Sequence, residues 1–186
     1  MTNSKTLFNR NTQFSNDFNA ADLPIIPQLR SVILTCADAR VDPAHIFQLN
    51  LGESVVMRNS GGRVTKEIIE EIAAMAFMVG KMDGDEQKPF ELIVMHHTHC
   101  GTERYANPEF QQALKMHIGI DVSSLAIHNH EKSLHEDIEK LRTASEIPGY
   151  IIASACIYNV ENGTIHQVIE PATLGAMCPY INLDKK

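Results

Sequence analysis

The chain has 186 residues, 44% of them hydrophobic and 21% charged, and a formal net charge of −7 at pH 7. That length suits one domain burying roughly two-thirds of its unfolded surface, and the composition excludes disorder as the default. The acidic balance excludes the basic face needed by non-specific nucleic-acid binding or a polybasic membrane surface, and no apolar run is long enough to span a bilayer.

The first thirty residues hold no apolar h-region. The sequence therefore predicts no secretory leader and a reducing, cytoplasmic location. Cys36, Cys100, Cys156 and Cys178 are too few and too scattered for a disulfide scaffold. In such a compartment, thiols near histidine favour metal binding or catalysis over cross-linking.

Residues 1–22 are polar and Asn-rich, with Leu7, Phe8, Phe14 and Phe18 spaced a helical turn apart or more. They read either as a frayed terminus or as an arm whose aromatic face docks on another subunit. Pro24 and Pro27 break the chain before a β-branched strand that starts at Ser31 and stops at Cys36, with Asp38 and Arg40 just beyond. Asp42 and Pro43 open a short helix through Leu49, and Gly52 ends it. A strand over Ser54–Met57 leads into the loop Arg58-Asn59-Ser60-Gly61-Gly62, where paired glycines let backbone approach a ligand or a neighbouring chain.

Thr65 starts the clearest helix, with Glu67, Glu70 and Glu71 near its positive end and a broad apolar face of Ile68, Ile69, Ile72, Met75, Ala76 and Val79. Gly80 is read as its end and Lys81–Pro89 as a charged surface loop. A third strand, Phe90–Met95, runs into His96-His97-Thr98-His99-Cys100-Gly101. Asn107-Pro108 caps a helix over Glu109–Ile118. A longer helical stretch covers Ser123–Arg142, with Leu125, Leu134, Ile138 and Leu141 inward and His128, His130 and His135 on a solvated face rather than at a second metal site. The strand Tyr150–Ile157, the turn signal Glu161-Asn162-Gly163 and the strand Thr164–Ile169 make a hairpin. The tail from Pro171 is read as irregular.

Three β-then-α units followed by a hairpin give an α/β class: a mostly parallel central sheet with an antiparallel edge hairpin, flanked by helices. The chain is one domain, 1–186, with an arm at 1–24, a core at 25–170 and a tail at 171–186. In open α/β sheets, polar groups just past the strands emerge at the carboxyl edge, where sites are kept. Two strand ends here carry two thiols, several imidazoles, a carboxylate and a guanidinium to that edge. His97-x-x-Cys100 supplies two metal ligands from one tight loop, and Cys36 adds a third. The pair alone is a weak signal; joined to Cys-x-Asp-x-Arg on an earlier strand it becomes a strong one. Zinc takes such thiolate and imidazole donors, and a catalytic site leaves one position open. His96 and His99 are rival ligands, although a histidine adjacent to Cys100 does not easily point the same way. The plain alternative makes Cys36 and Cys100 buried thiols and His97 a core histidine. Cys156, inside an apolar strand, reads as inert packing.

Cys36-Ala-Asp38-Ala-Arg40, the Arg58-Asn59-Ser60-Gly61 loop and His97-Thr-His-Cys100-Gly101 together resemble the β-class carbonic anhydrase family, which includes carbonyl sulfide and carbon disulfide hydrolases. The likeness runs in order from Ser31 to Gly101, and the later hairpin fits it. It implies one Zn²⁺ per chain held by Cys36, His97 and Cys100, with an Asp38–Arg40 pair controlling the fourth position. It also implies a homodimer or homotetramer, with the Phe-bearing arm wrapping the partner. Gly61 and Gly101, inside the matching motifs, become candidate substrate contacts, and His99 a candidate proton relay beside His45 and His96. The family commonly has Ser at the place of Ala39, Ala at Ser60 and Asp at His99. These departures leave the zinc ligands intact and bear on the substrate.

The implied reaction is reversible hydration of CO₂ to bicarbonate by zinc-bound hydroxide. The same site acting on COS or CS₂ and releasing H₂S is the alternative. A non-catalytic zinc-binding module and a Cys-nucleophile hydrolase are the weaker readings. Two thiolates neutralise the metal's charge, so activity is expected to grow toward mildly alkaline pH. Held by Arg40, Asp38 can accept a hydrogen bond from the nucleophile; released, it can close the fourth position.

Overall fold

Ser31–Cys36 (β1), Ser54–Asn59 (β2), Glu91–His97 (β3), Ile152–Tyr158 (β4) and Ile165–Thr173 (β5) form one five-stranded sheet, in the order β2-β1-β3-β4-β5. This architecture comes from a computed structural model that describes residues 2–84, 86 and 88–177. β1, β2, β3 and β4 pair in parallel and β5 runs antiparallel to β4, as the α/β reading predicts. β1 lies inside the sheet and buries all six of its residues, which is why it reads as an unbroken apolar run.

Among the described residues the α-helices are Asn3–Asn16 (α1), Pro43–Ile46 (α2), Lys66–Met82 (α3), Pro108–Ile118 (α4) and His130–Thr143 (α5). Successive strand residues face opposite sides of the sheet. Val32, Leu34, Leu92, Val94, Ala153 and Ala155 share one face with Ile68 and Ile72 from Lys66–Met82 (α3) and with Leu134, Ile138 and Leu141 from His130–Thr143 (α5). The opposite face carries a smaller cluster of Val41, Met95 and Cys156, covered by Ile46, Phe47 and Val160. Among the described residues no helix is long and apolar enough to cross a membrane.

Several boundaries differ from the sequence reading for identifiable reasons. Gly80 lies inside α3, and the helix stops after Met82, where Gly84 takes a left-handed φ of +71°. The span expected as one helix over Ser123–Arg142 is a short 3₁₀ turn, Ser123–Leu125, followed by α5. Asn129 accepts the Lys132 N–H at 2.9 Å and starts α5 there. β3 extends two residues beyond Met95 and takes in both His96 and His97. β5 continues through Pro171 to Thr173, tolerated because it is an edge strand whose register slips between Ala153 and Ala155. Cys178 lies outside the described residues.

The amino-terminal segment forms a helix, Asn3–Asn16 (α1), with none of its residues buried. Leu7, Phe8, Phe14 and Phe18 remain about half exposed or more. A helix of this length is marginal on its own in water.

A charge pair is closed into the core behind the sheet's carboxyl edge. Arg63 donates from Nε and Nη2 to the two Asp137 oxygens at 2.6 and 3.1 Å, with the Arg63 side chain 3% and the Asp137 side chain 0% exposed. Lys140 Nζ adds a bond of 2.7 Å. Burial opposes ionisation of Asp137, but the His96 ring and the Arg63 guanidinium outweigh it and bring the carboxyl down to about 2. Removing one partner of a buried pair leaves an uncompensated charge, so Asp137→Asn is expected to lose about 3–5 kcal/mol in chemical denaturation. Because the folded value lies below the ordinary 3.8, Asp137's contribution is complete above about pH 4 and is lost as pH falls through about 2. Acid unfolding of the parent, and not of the variant, should carry this component.

Candidate metal centre

Parallel pairing sets Thr35 beside Met95, and the Thr35 hydroxyl donates to the Met95 carbonyl at 2.8 Å. The next residue of β1 is Cys36, and two residues on in β3 is His97. Alternation along β3 separates the two adjacent imidazoles. His96 turns toward α5 and Asp137, whereas His97 joins Cys36 and Cys100. The donor atoms of Cys36, His97 and Cys100 all lie within 4.8 Å of one another, and all three residues are buried. Of the rival ligands weighed above, His96 faces the other way. His99 is 64% exposed and has its Nε2 3.3 Å from Glu161 in the β4–β5 turn.

The donors are prepared for a cation. His97 Nδ1 lies 2.9 Å from the Thr98 carbonyl, which fixes its proton on that nitrogen and leaves Nε2 with a free lone pair. Nε2 is buried and has no hydrogen-bond partner. The two sulfurs stand 3.7 Å apart. This close contact pushes the Cys36 thiol well below its ordinary value and the Cys100 thiol well above. Backbone N–H groups of Asp38 and Gly61 add to the lowering at Cys36. A divalent ion bound here would be held by both sulfurs as thiolates and by the orphaned nitrogen; the residues fit a thiolate-and-imidazole metal site with three ligands.

Asp38 and Arg40 sit beside this cluster. Asp38 Oδ1 accepts from Arg40 N and Nε at 2.9 Å each, Oδ2 accepts from Nη2 at 2.6 Å, and Oδ2 lies 4.0 Å from His97 Nε2. The Arg40 guanidinium holds the Asp38 carboxyl well below the usual carboxylate range. Arg40 Nη2 also donates to the His99 carbonyl at 3.0 Å, across the gap between the two strand-end loops. His99 adopts a left-handed φ of +54° to present that carbonyl, a conformation uncommon outside glycine and in which Asn, Asp and His are the enriched residue types.

The loop after β2 closes the cluster from behind. Gly61, the first candidate substrate contact, is buried, and a Cβ added there would lie 3.0 Å from Thr102 and 3.1 Å from Ile127. Gly101, the second, is exposed, and a Cβ added there would meet nothing within 4 Å. At Gly62, φ is +66° and an added Cβ lies 2.9 Å from Thr35 C and 3.0 Å from Cys36 N. Arg58, noted in the sequence only as part of a loop motif, donates to the carbonyls of Cys36, Asp38 and Val41 at 3.0, 2.6 and 2.7 Å. Arg63, Glu103, His130 and Asp137 were not among the candidate residues. An aspartate on the apolar stripe of α5, between Leu134 and Leu141, was the signal available for that network. Cys156 is buried in β4, and burial pushes its thiol up to about 11, in keeping with inert packing.

A parallel α/β sheet presenting a Cys₂His cluster and an aspartate–arginine pair at its carboxyl edge defines a class of metal-site protein, and comparison with known proteins places this one within it. The carbonic anhydrase family model matches residues 31–172, so the chain belongs to the β-class carbonic anhydrase family. It is 32% identical to the carbonic anhydrase of Streptococcus mutans, whose crystal structure superposes with a TM-score of 0.77 over 90% of this chain and 98% of that one. β-Carbonic anhydrase 1 of Mycobacterium tuberculosis is 30% identical over 110 residues, 59% of this chain and 62% of the relative. Carbon disulfide hydrolase of Saccharolobus solfataricus is 30% identical over 112 residues, 60% of this chain and 50% of the relative. The chain thus spans less than two-thirds of the length of these two curated relatives.

Cys36→Ser and His97→Ala should each abolish stoichiometric zinc uptake in a titration that the parent saturates at one equivalent. Gly62→Ala should displace the Cys36 backbone and weaken zinc uptake, although no ligand is altered.

Proposed function

We propose that the chain is a zinc enzyme that hydrates a small linear electrophile, with CO₂ as substrate and bicarbonate as product. The observation carrying this reading is the Asp38 carboxylate, clamped by Arg40 and 4.0 Å from the ligand nitrogen of a three-donor site. A structural zinc site fills all four positions with Cys or His. Here the fourth group is a carboxylate held away by its own guanidinium, which suits an open site. The family match and the Streptococcus mutans carbonic anhydrase, aligned over nearly its whole length, support CO₂.

Zinc bound there supplies an acidified water as nucleophile. Asp38, kept ionised by Arg40, accepts a hydrogen bond from that nucleophile and orients its lone pair toward the substrate carbon. Arg40 holds Asp38 in place through two parallel bonds and ties the loop to the His99 carbonyl. His99, exposed beside Glu161, is positioned to pass protons to buffer. The exposed apolar face of α1 supports a working homodimer or homotetramer in which the arm lies on a second copy.

The second reading, hydrolysis of COS or CS₂ with release of H₂S, is favoured by the match to carbon disulfide hydrolase. Assaying one zinc-loaded sample for CO₂ hydration and for H₂S release from COS and CS₂ decides between them. Rapid CO₂ hydration with little sulfide is the expected result; sulfide release without CO₂ hydration would reverse the assignment. Asp38→Asn should lower kcat/KM by about 10²-fold with zinc content unchanged.

A further inference from the structure

Cys100 occupies the cap position of a 3₁₀ turn, Gly101–Ala106, where serine or threonine would be usual. The cap is reciprocal. The Cys100 side chain accepts from the turn's backbone, and the Glu103 carboxylate reaches back to accept the Cys100 N–H at 3.0 Å. The same Glu103 oxygen lies 3.0 Å from His130 Nε2. His130 comes from the first turn of α5, and its other ring nitrogen lies 3.4 Å from His96 Nδ1, with the two rings edge to face at 5.5 Å. His96, fully buried, has its Nε2 3.8 Å from Asp137, which is clamped by Arg63. Close polar contacts therefore run from the main chain of a candidate metal ligand through Glu103 and His130 to His96, while the last gap, from His96 Nε2 to Asp137, is 3.8 Å and holds no hydrogen bond.

Such a path has a consequence for the metal. The loop after β3 is short, and His99 within it is held in a left-handed conformation. The Cys100 sulfur can stay 3.7 Å from Cys36 only if the turn that carries it keeps its orientation. Apolar packing there is sparse: among the described residues, the buried hydrophobic cluster at the sulfurs holds Ile127 besides Cys36 and Cys100.

We propose that Glu103 and His130 form a brace that positions the Cys100 sulfur and so sets the zinc affinity of the site, an inference resting on the zinc reading above. Both are positioning residues; neither touches the metal or the substrate. The role needs an oxygen acceptor at residue 103 rather than its charge, since the bond to be kept is the one from the Cys100 N–H. His130 acts one step further out, by holding that acceptor.

Zinc affinity, measured on the full chain by competition with a chromophoric chelator, tests the proposal, together with thermal midpoints of the metal-free protein. Glu103→Ala should weaken zinc binding by about 10–100-fold, the range found when partners of metal ligands are removed. Glu103→Gln retains the acceptor and should bind zinc as the parent does. His130→Ala should fall between them, and the metal-free midpoints should stay near that of the parent. Parent-like affinity in Glu103→Ala would overturn the brace, as would equal losses in Glu103→Ala and Glu103→Gln. Losses that merely track a lowered metal-free midpoint would reduce it to ordinary stability and also overturn it. If Glu103→Ala does not fold, Glu103→Gln and His130→Ala still decide, because the brace requires the first to match the parent and the second not to. A parent that binds zinc but hydrates nothing would refute the proposed function and leave this affinity test intact.

Discussion

The site depends on the register between β1 and β3. With Thr35 set against Met95, Cys36 and His97 arrive at the same edge of the sheet, and the turn after β3 returns Cys100 to meet them. Side chains alternate along a strand, so a slip of one residue in β3 would exchange His96 for His97 and give the cluster the wrong imidazole. The Thr35 hydroxyl, bonded to the Met95 carbonyl, and the apolar face of β1 and β3 against α3 and α5 both hold that register. Thus the packing that buries the core also assembles the donors.

Arginines organise what lies around the donors, each by a different means. Arg40 acts on a side chain and a carbonyl, fixing Asp38 and linking the two strand-end loops. Arg58 acts on three carbonyls and shapes the backbone between Cys36 and Val41. Arg63 is the buried one, paired to Asp137 behind the glycine loop. A buried pair is a doubtful source of stability compared with apolar packing, but an exacting source of geometry, because it tolerates few arrangements. Here it anchors the loop after β2 to α5 at the edge where the metal ligands emerge.

The parts of the molecule legible in sequence were those with a short-range signature. β-Branched runs marked the strands, Thr65 and Asn107 marked helix starts, and Asn162-Gly163 marked the hairpin. Cys36, His97 and Cys100 were legible because their spacing places them just past strand ends. The break between Ser123 and α5 was missed although no apolar residue stands between Ile127 and Leu134, because no Gly or Pro marks it and the Asn129 cap is its one local signal. Gly80 was misread as a stop because an interior glycine and a terminal one look alike until the left-handed Gly84 is seen. The Glu103–His130–His96 path joins residues that become neighbours only through tertiary packing. No local pattern announces it, although a double histidine on a strand already implies two faces and two roles.

X-ray absorption at the zinc edge of the zinc-loaded chain tests the central claim most directly. The account predicts two sulfur ligands at about 2.3 Å and one imidazole nitrogen at about 2.0–2.1 Å, with a lighter atom completing the shell. A shell without two sulfurs, or one built of oxygen donors alone, would contradict it.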